Sequence, residues 1–222
     1  MSVTIIAYNG AAFIEEALLS IYDQTRKADE IIVLNDGSTD DTAAILTRHS
    51  GKITILNSSE NRGALLSRRA VVEAASFDRV AFLDADDRFH PEALSSFEEA
   101  AESSPEADLI FGMMKNFYDL PAGGGKISHG GKWLHGRTNG NMLAKREAFL
   151  AASIKAQEAA RSEYLAWYQS AQSLNLVEEQ IDTPIFERRI HENNASRHPE
   201  TRREMMTMLK THLDRQRSRE ES

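Results

Sequence analysis

Short apolar runs alternate with amphipathic stretches along the first hundred residues of the chain. The runs at 3–8, 30–36, 53–56 and 80–83 have the length of buried strands. Between them, stretches such as 11–25 repeat apolar side chains at the spacing of a helix. Strands that alternate with helices of this length predict βαβ units on a mostly parallel sheet, which is an α/β fold.

The helices between these strands have recognisable ends and faces. The first is predicted to bury a face made of Phe13, Ala17, Leu18 and Ile21. Ser38 or Thr39 is a suitable N-cap for the second helix, and Gly51 is a stop signal for it. The third helix is predicted over 61–76, and Pro91 marks the start of a fourth.

The second half of the chain is less regular. Residues 107–120 predict a strand, and the glycine-rich stretch 121–131 is interpreted either as a lid or as a surface linker. Residues 139–153 predict a turn and then a helix, and 182–196 predict a short strand followed by a polar turn. A further helix is predicted over 160–174, with one face that includes Leu165, Tyr168, Ala171 and Gln172.

Composition narrows the class of protein. The chain has 222 residues, of which 41% are hydrophobic, so it can bury a sizeable core. It has no cysteine, and a bound metal would therefore need Asp, Glu or His ligands. A net charge of −8 argues against a general nucleic-acid binder. Because no apolar run could cross a bilayer and the first residues lack a basic signal region, we expect a cytoplasmic protein without a transmembrane segment.

Polar residues stand at the carboxyl ends of the predicted strands, the edge where parallel sheets bind ligands. Asn9 follows the first strand and Asp36 ends the second. The fourth is followed by three carboxylates, those of Asp84, Asp86 and Asp87. Charges about 5 Å apart repel by roughly 3 kcal/mol per pair at an effective dielectric near 20. The cluster must therefore be solvated in a turn, cap a helix or hold a cation.

Three motifs follow one another along the first hundred residues. They are VTIIAYNGAAFIEEALLSIYDQT, DEIIVLNDGSTDDTAAIL and NRGALLSRRAVVEAASFDRVAFLDADDRFHPEAL. In this order they resemble family 2 glycosyltransferases, enzymes of the GT-A fold that use nucleotide-sugar donors, and RRIHENNAS is similar to a common ending of the family's catalytic domain. The resemblance implies a GT-A domain over 1–197, with a nucleotide-sugar half (1–100) and an acceptor half (101–197), followed by a charged helix (198–222).

The resemblance implies a metal site at the third motif. In the family the second Asp of Asp-x-Asp binds a divalent cation that neutralises the leaving diphosphate, so Asp86 is the expected ligand of Mn²⁺ or Mg²⁺. Asp84 is expected to face the ribose or the metal's waters, and Asp87 to assist or to cap the next turn. His191 is a further candidate contact to the metal or a phosphate, with a structural histidine as the alternative.

The nucleotide site implied by the resemblance begins at Ala7, Tyr8 and Asn9 and continues at Asp36. A carboxylate at a strand end can accept a hydrogen bond from the imide N–H of uracil. The Tyr8 ring can stack on a base, and core packing is the alternative for it. Arg68 matches a basic position of the family's third helix, where it could meet the diphosphate or pair with the aspartates.

The resemblance also implies a general base for the acceptor hydroxyl. The family places the Asp of a Glu-Asp pair four residues before a Trp, and here Ser162-Glu163 precedes Trp167. Glu163 is therefore the candidate base. Its additional methylene changes the reach by about an ångström, which can cost on the order of 100-fold in rate. An ordinary glutamate on a helix surface is the alternative.

The tail at 198–222 is predicted to be a helix with an apolar stripe, formed by Met205, Met206, Leu209 and Leu213. Acidic and basic residues are mixed on its polar face. The stripe could pack on the domain, pair with a second copy in a homodimer or rest on a membrane surface. The mixed charge favours packing or a homodimer.

The sequence favours an inverting, metal-dependent glycosyltransferase with a UDP sugar as donor. The expected acceptor is a glycan, a lipid-linked sugar, a peptide or a small molecule, and no nucleic acid is expected as a partner. Ile6, Asn35 and Ser162-Glu163 depart from the family pattern, so a non-catalytic module that binds a nucleotide sugar or a protein is the alternative.

Two further classes of enzyme are disfavoured. A sugar nucleotidyltransferase needs a glycine-rich, basic loop near the N-terminus, and AYNGAAF has one glycine and no Lys or Arg. A phosphatase of the haloacid-dehalogenase type has its nucleophile after the first strand. Here the acidic cluster follows the fourth predicted strand.

Overall fold

The computed structural model describes residues 1–118, 131–156 and 163–191, which form a nine-stranded sheet flanked by helices. The strands are β1 (Ser2–Ala7), β2 (Glu30–Asp36), β3 (Thr54–Ser58), β4 (Arg79–Asp84), β5 (Arg88–Phe89), β6 (Leu109–Tyr118), β7 (Leu134–His135), β8 (Met142–Lys145) and β9 (Glu178–Ile190). The helices are α1 (Ile14–Tyr22), α2 (Thr42–Arg48), α3 (Ala64–Ala74), α4 (Ala93–Ser103), α5 (Arg146–Ala156) and α6 (Glu163–Ser173).

The strands of the sheet lie in the order β3-β2-β1-β4-β8-β6-β9-β5, and β7 pairs with β6. β1 is parallel to β2 and to β4, and β2 is parallel to β3. β8 is antiparallel to both β4 and β6, whereas β6 and β9 form a long parallel pair. The predicted α/β fold with a mostly parallel sheet is confirmed. The short antiparallel strand β8 joins its two parallel parts.

The alternation of side chains along β4 explains why helices cover both faces of the sheet. Val80 and Phe82 belong to one core, together with residues of α3, α5 and α6. Ala81 and Leu83 belong to the other core, with residues of α1, α2 and α4. Because successive side chains of a strand point to opposite faces, this continuous apolar run is buried on both sides.

The start of α2 differs from the prediction. The helix begins at Thr42 with Asp41 at its N-cap, so the expectation that Ser38 or Thr39 caps it was wrong. Ser38 and Thr39 form hydrogen bonds with Asn9 instead. The hydroxyl residues of this motif thus connect two loops at the carboxyl edge of the sheet.

Pairing in the second half also departs from the sequence pattern. Residues 142–145 form β8 where a turn and a helix were predicted, and 88–89 form β5 ahead of α4. α4 itself begins at Ala93 rather than at Pro91. β9 is 13 residues long, whereas a short strand was predicted. Strands as short as β5 and β8 show no period in the sequence, and their pairing with β9, β4 and β6 defines them.

The buried faces of α1 and α6 differ in detail from the predicted ones. Ile14 is the buried residue at the start of α1, and Phe13 precedes the helix. In α6 the predicted position Gln172 is exposed. Trp167 is buried and stacks on Phe149 with ring centroids 4.9 Å apart, which turns this side of α6 inward.

Gly37→Ala is expected to lower the free energy of unfolding by about 1–3 kcal/mol. Gly37 has a φ of +70°, and a Cβ there would lie 2.5 Å from the backbone carbonyl carbon of Glu60. Gly51→Ala is the matched control, because a Cβ at Gly51 meets nothing within 4 Å. Urea unfolding of both variants measures the difference. Equal midpoints would contradict the strain assigned to Gly37.

Candidate active site

A cleft of about 730 Å³ opens at the carboxyl ends of β1, β2 and β4. Parallel strands end together at this edge, so residues far apart in the sequence meet here. The cleft is lined by predicted residues from four segments: Ala7, Tyr8, Asn9, Asp36, Asp84, Asp86 and His191. Arg68, on α3, contacts Asp84. The structure therefore brings the predicted nucleotide and metal residues into one site.

Asn9 shapes the loop after β1, where its backbone takes a φ of 51°. Its N–H donates to Ser38 Oγ at 3.0 Å, and its side-chain oxygen accepts from Thr39 N–H at 2.8 Å. These bonds tie the loops after β1 and β2 together beside the cleft. The neighbouring Tyr8 ring is 52% exposed, so core packing, the alternative for this residue, was wrong. An exposed ring in the cleft wall can stack on a flat ligand.

Asp36 is buried at the end of β2 and forms part of the cleft wall. Its two carboxylate oxygens lie 3.1 and 3.2 Å from the backbone nitrogen of Arg62, which donates to them. Arg62 Nε lies 3.8 Å from Oδ1. These contacts fix the position of the carboxylate, and a carboxylate has lone pairs for a further donor from a ligand.

Asn35, at a position where the family pattern has Asp, does not line the cleft. Its Oδ1 accepts from Ser38 N–H at 3.2 Å, and its Nδ2 donates to Asn57 Oδ1 at 3.3 Å. Adjacent residues of a strand point to opposite faces, so the side chains of Asn35 and Asp36 diverge. The departure from the family pattern at Asn35 therefore lies outside the lining of the cleft.

The carboxylates at the end of β4 and just after it have separate partners. Asp84 forms an ion pair with Arg68 of α3. Asp86 Oδ2 lies 3.0 Å from His191 Nε2. A partner of opposite charge or a hydrogen bond of this kind stabilises a carboxylate and offsets the repulsion between Asp84 and Asp86. Asp84 and Asp86 remain at the cleft, as the sequence predicted.

Asp87 points into the protein and is 5% exposed. Its Oδ1 accepts a hydrogen bond of 2.7 Å from Arg189 N–H. Burial, together with the charges of Asp86 and Asp84, raises the pKa of Asp87 well above its ordinary value. Asp87 thus anchors β9 to the acidic turn, which is formed by residues 84–87, a role that the sequence did not indicate.

Asp86 and His191 are the pair of side chains best placed to hold a cation. They converge on each other in the cleft, and the His191 ring packs against Phe13 with centroids 4.9 Å apart. Among the residues that the structure describes, no group of three His, Asp or Glu side chains could hold a metal ion. A metal held by this pair would need further ligands, such as phosphates or water.

Arg68 connects the acidic turn to the second half of the chain. Besides its ion pair with Asp84, it lies beside the side-chain amide of Asn139. With the Asn139 oxygen turned towards Arg68, it accepts from Nη1 at 3.1 Å and from Nε at 3.2 Å. Arg68 therefore pairs with an aspartate, which is one of the two roles predicted for it. Asn139 was not predicted, since nothing in its local sequence points to this contact.

The N-terminus of α6 lies beside this arginine. A small void is lined by Arg68, Asn139, Tyr164 and Trp167, among others. The Tyr164 hydroxyl is buried without a hydrogen-bond partner among the described residues, and burial raises its pKa, so it stays protonated. Glu163, the candidate base, begins α6, but its side chain lies outside the described part of the structure.

The fold and the site define a GT-A architecture, with a cleft at the carboxyl edge of the parallel strands. The model of the family described as Glycosyl transferase family 2 matches residues 2–158. This match spans well over half of the chain, which belongs to this family.

Relatives with curated descriptions agree with this membership. TuaG of Bacillus subtilis (strain 168), whose name ties it provisionally to teichuronic acid biosynthesis, is 35% identical over 97 residues, covering 42% of this chain and 38% of TuaG. The glycosyltransferase alr2836 of Nostoc sp. (strain PCC 7120) is 30% identical over 139 residues, covering 58% of this chain and 42% of the relative. The chain thus matches about two fifths of the length of these relatives.

Solved structures show the same fold. The crystal structure of S. aureus TarS 1-349 in complex with UDP superposes with a TM-score of 0.66 at 20% identity, covering 85% of this chain and 60% of the TarS 1-349 chain. The complex of TarS 1-349 with UDP-GlcNAc gives a TM-score of 0.64 at 18% identity, with 87% and 59% covered. At this identity the likeness concerns the fold.

Some predictions lie outside the described residues. They concern most of the glycine-rich stretch 121–131, Ser162, and the tail helix at 198–222 with its proposed homodimer. Within the described ranges, no helix has the length and apolar character to span a membrane. The cytoplasmic location stays a prediction.

Proposed function

We propose that this protein transfers a sugar, with inversion, from a nucleotide-sugar donor to an acceptor hydroxyl, aided by a divalent metal. The observation that carries the proposal is the convergence of Asp86 and His191 in the cleft that Tyr8 and Asp36 also line. One end of the cleft suits a base and the other suits a metal diphosphate. Family membership supports the reaction class.

The nucleotide end of the cleft favours a flat base with a donor group. The exposed Tyr8 ring offers a stacking surface, and Asp36 can accept from the imide N–H of uracil. The TarS complexes, which share the fold, contain UDP and UDP-GlcNAc. We therefore propose a UDP sugar as the donor.

The metal end has a donor set that suits Mn²⁺ or Mg²⁺. Asp86 Oδ2 and His191 Nε2 lie 3.0 Å apart in the cleft, and these two atoms would hold the ion. Such ions rest on few protein ligands and take the rest from phosphates and water. When bound, the ion would neutralise charge on the leaving diphosphate. Asp84, paired with Arg68, would face the ribose or the metal's waters.

Glu163 is proposed as the general base. Its neighbour Tyr164 borders the void beside Arg68, which places the start of α6 near the Asp84 side of the cleft. A carboxylate there could take the proton of the acceptor hydroxyl as the acceptor oxygen attacks the anomeric carbon and the bond to the diphosphate breaks. The acceptor is proposed to be a glycan, a lipid-linked sugar, a peptide or a small molecule.

A non-catalytic module that binds a nucleotide sugar is the second candidate. The observation that favours it is Ser162-Glu163, which stands in place of the family's Glu-Asp pair. Both candidates require the nucleotide cleft. Turnover separates them, because only the transferase releases UDP when an acceptor is present.

Thermal unfolding with UDP, GDP, CMP and dTDP, each with and without Mn²⁺, tests the donor site. UDP with Mn²⁺ at 100 times its Kd is expected to stabilise the protein by about 2.7 kcal/mol, or about 5–10 °C in Tm. The other nucleotides serve as controls for general anion binding. No shift with any nucleotide would contradict both candidate functions, whereas a Mn²⁺-independent shift with UDP would contradict the metal site alone.

A further inference from the structure

The guanidinium of Arg189 is buried beneath the acidic turn, and the residue is only 3% exposed. Arg189 belongs to β9 and precedes His191 by two residues. Burying a charged group is costly unless hydrogen bonds and ion pairs compensate for it. The contacts of Arg189 therefore indicate what this buried charge does.

Two of these contacts reach the acidic turn directly. The Arg189 backbone N–H donates to Asp87 Oδ1 at 2.7 Å. Its Nε donates to the backbone oxygen of Asp86 at 2.8 Å. Arg189 thus contacts both the main chain of Asp86 and the side chain of Asp87. Movement of Asp86 relative to β9 would break these bonds.

The same guanidinium packs over two aromatic rings. Its central carbon lies 4.8 Å from the centroid of Phe13 and 4.5 Å from that of Phe117. The Phe13 ring also packs against His191. Arg189 is therefore linked to Asp86 by a hydrogen bond and to His191 through a shared ring.

A second arginine, Arg88, shares part of this environment. Both guanidinium groups pair with Glu16 of α1, Arg88 with Oε1 at 2.9 Å. Arg88 also lies over the Phe117 ring, 4.2 Å from its centroid. Its remaining ion pair is with Glu187. Among the described residues, none of these contacts of Arg88 involves the side chains or carbonyls of residues 84–87.

We propose that Arg189 is a positioning residue that sets the geometry of Asp86 and His191 for the divalent cation. The inference rests on the proposed function, because it concerns the metal of that site. Arg189 itself does not line the cleft and acts through the acidic turn and Phe13. Replacement of groups that orient metal ligands typically weakens metal binding by about 10–100-fold.

The test compares Arg189→Met with Arg88→Met in the full chain. Both variants lose a charge, an ion pair with Glu16 and a contact with Phe117. Arg88→Met also loses the ion pair with Glu187, so the stability of the two variants is compared directly. The dissociation constant of Mn²⁺ in the presence of saturating UDP is measured by electron paramagnetic resonance, and Tm is measured in parallel. We expect Arg189→Met to weaken Mn²⁺ binding by about 10–100-fold and Arg88→Met by less than about 3-fold.

Other outcomes separate this inference from the proposed function. Mn²⁺ that binds Arg189→Met as tightly as wild type, or equal losses in both variants, would overturn the positioning role. Wild type that binds no Mn²⁺ with UDP would instead contradict the proposed metal site.

Arg189→Lys covers the case in which Arg189→Met does not fold. A lysine keeps a cation near Glu16 but cannot donate to Glu16 and to the Asp86 carbonyl in the same fork. Weaker Mn²⁺ binding in a folded Arg189→Lys variant supports the proposal. Wild-type Mn²⁺ affinity in that variant overturns it.

Discussion

Asp86→Ala is expected to lower kcat for sugar transfer on the order of 10³-fold, equivalent to about 4 kcal/mol in the barrier. Asp86 is the carboxylate that converges with His191 in the cleft, while Asp84 is paired with Arg68 and Asp87 points inward. Removal of Asp86 therefore leaves no equivalent carboxylate at that point among residues 1–118, 131–156 and 163–191. The same change is expected to abolish the Mn²⁺-dependent part of the UDP thermal shift.

The loss of kcat in Asp86→Ala is measured as the release of UDP from a UDP sugar in the presence of an acceptor, with and without Mn²⁺. Asp182→Ala is the control, because the Asp182 side chain is 88% exposed and pairs with His135 away from the cleft. The control should keep wild-type kcat and UDP binding. If Asp86→Ala turned over like the control, Asp86 would have no role in metal binding.

Glu163→Gln is expected to lower kcat by about 10²–10⁴-fold and to leave Mn²⁺-dependent UDP binding unchanged. The amide keeps the shape of the side chain but cannot take a proton from the acceptor. Because the proposed metal and nucleotide contacts lie on other elements, the ground-state affinity for the donor should be preserved. This separation of turnover from binding distinguishes a base from a binding residue.

Glu147→Gln is a matched control for the base, since Glu147 is an exposed glutamate in the first turn of α5. It should keep wild-type kcat. Turnover in Glu163→Gln equal to that in the control would remove Glu163 as the base. A wild type that binds UDP with Mn²⁺ and shows no turnover with any acceptor would favour the non-catalytic module.

The order of strands and helices in residues 1–100 could be predicted from the sequence because it depends on local patterns. Every residue of the run 80–83 before Asp84 is apolar, as expected for a strand that is covered on both faces. β4 is such a strand. The carboxyl ends of such strands lie at one edge, so Asn9, Asp36 and Asp86 could be assigned to one site. Short-range periodicity and the rules of parallel sheets sufficed for this half.

The roles within the acidic turn were decided by the tertiary structure. The local sequence does not show which of the three aspartates is buried. In the structure only Asp87 of the three is buried, whereas Asp84 and Asp86 are not. The difference arises from β9, whose Arg189 lies 102 residues further along the chain and donates to Asp87. No local pattern encodes a contact of that separation.

The sequence by itself determined the class of fold and the edge of the sheet at which Asn9, Asp36 and the aspartates after the fourth strand meet. The tertiary structure alone decided that His191 meets Asp86, that Arg189 is buried beneath them and that α6 turns Trp167 inward. The physical reason is the long parallel pairing of β6 and β9, which carries the end of β9 to the acidic turn. That pairing depends on burial and hydrogen bonding between distant segments, which neither segment shows in its own sequence.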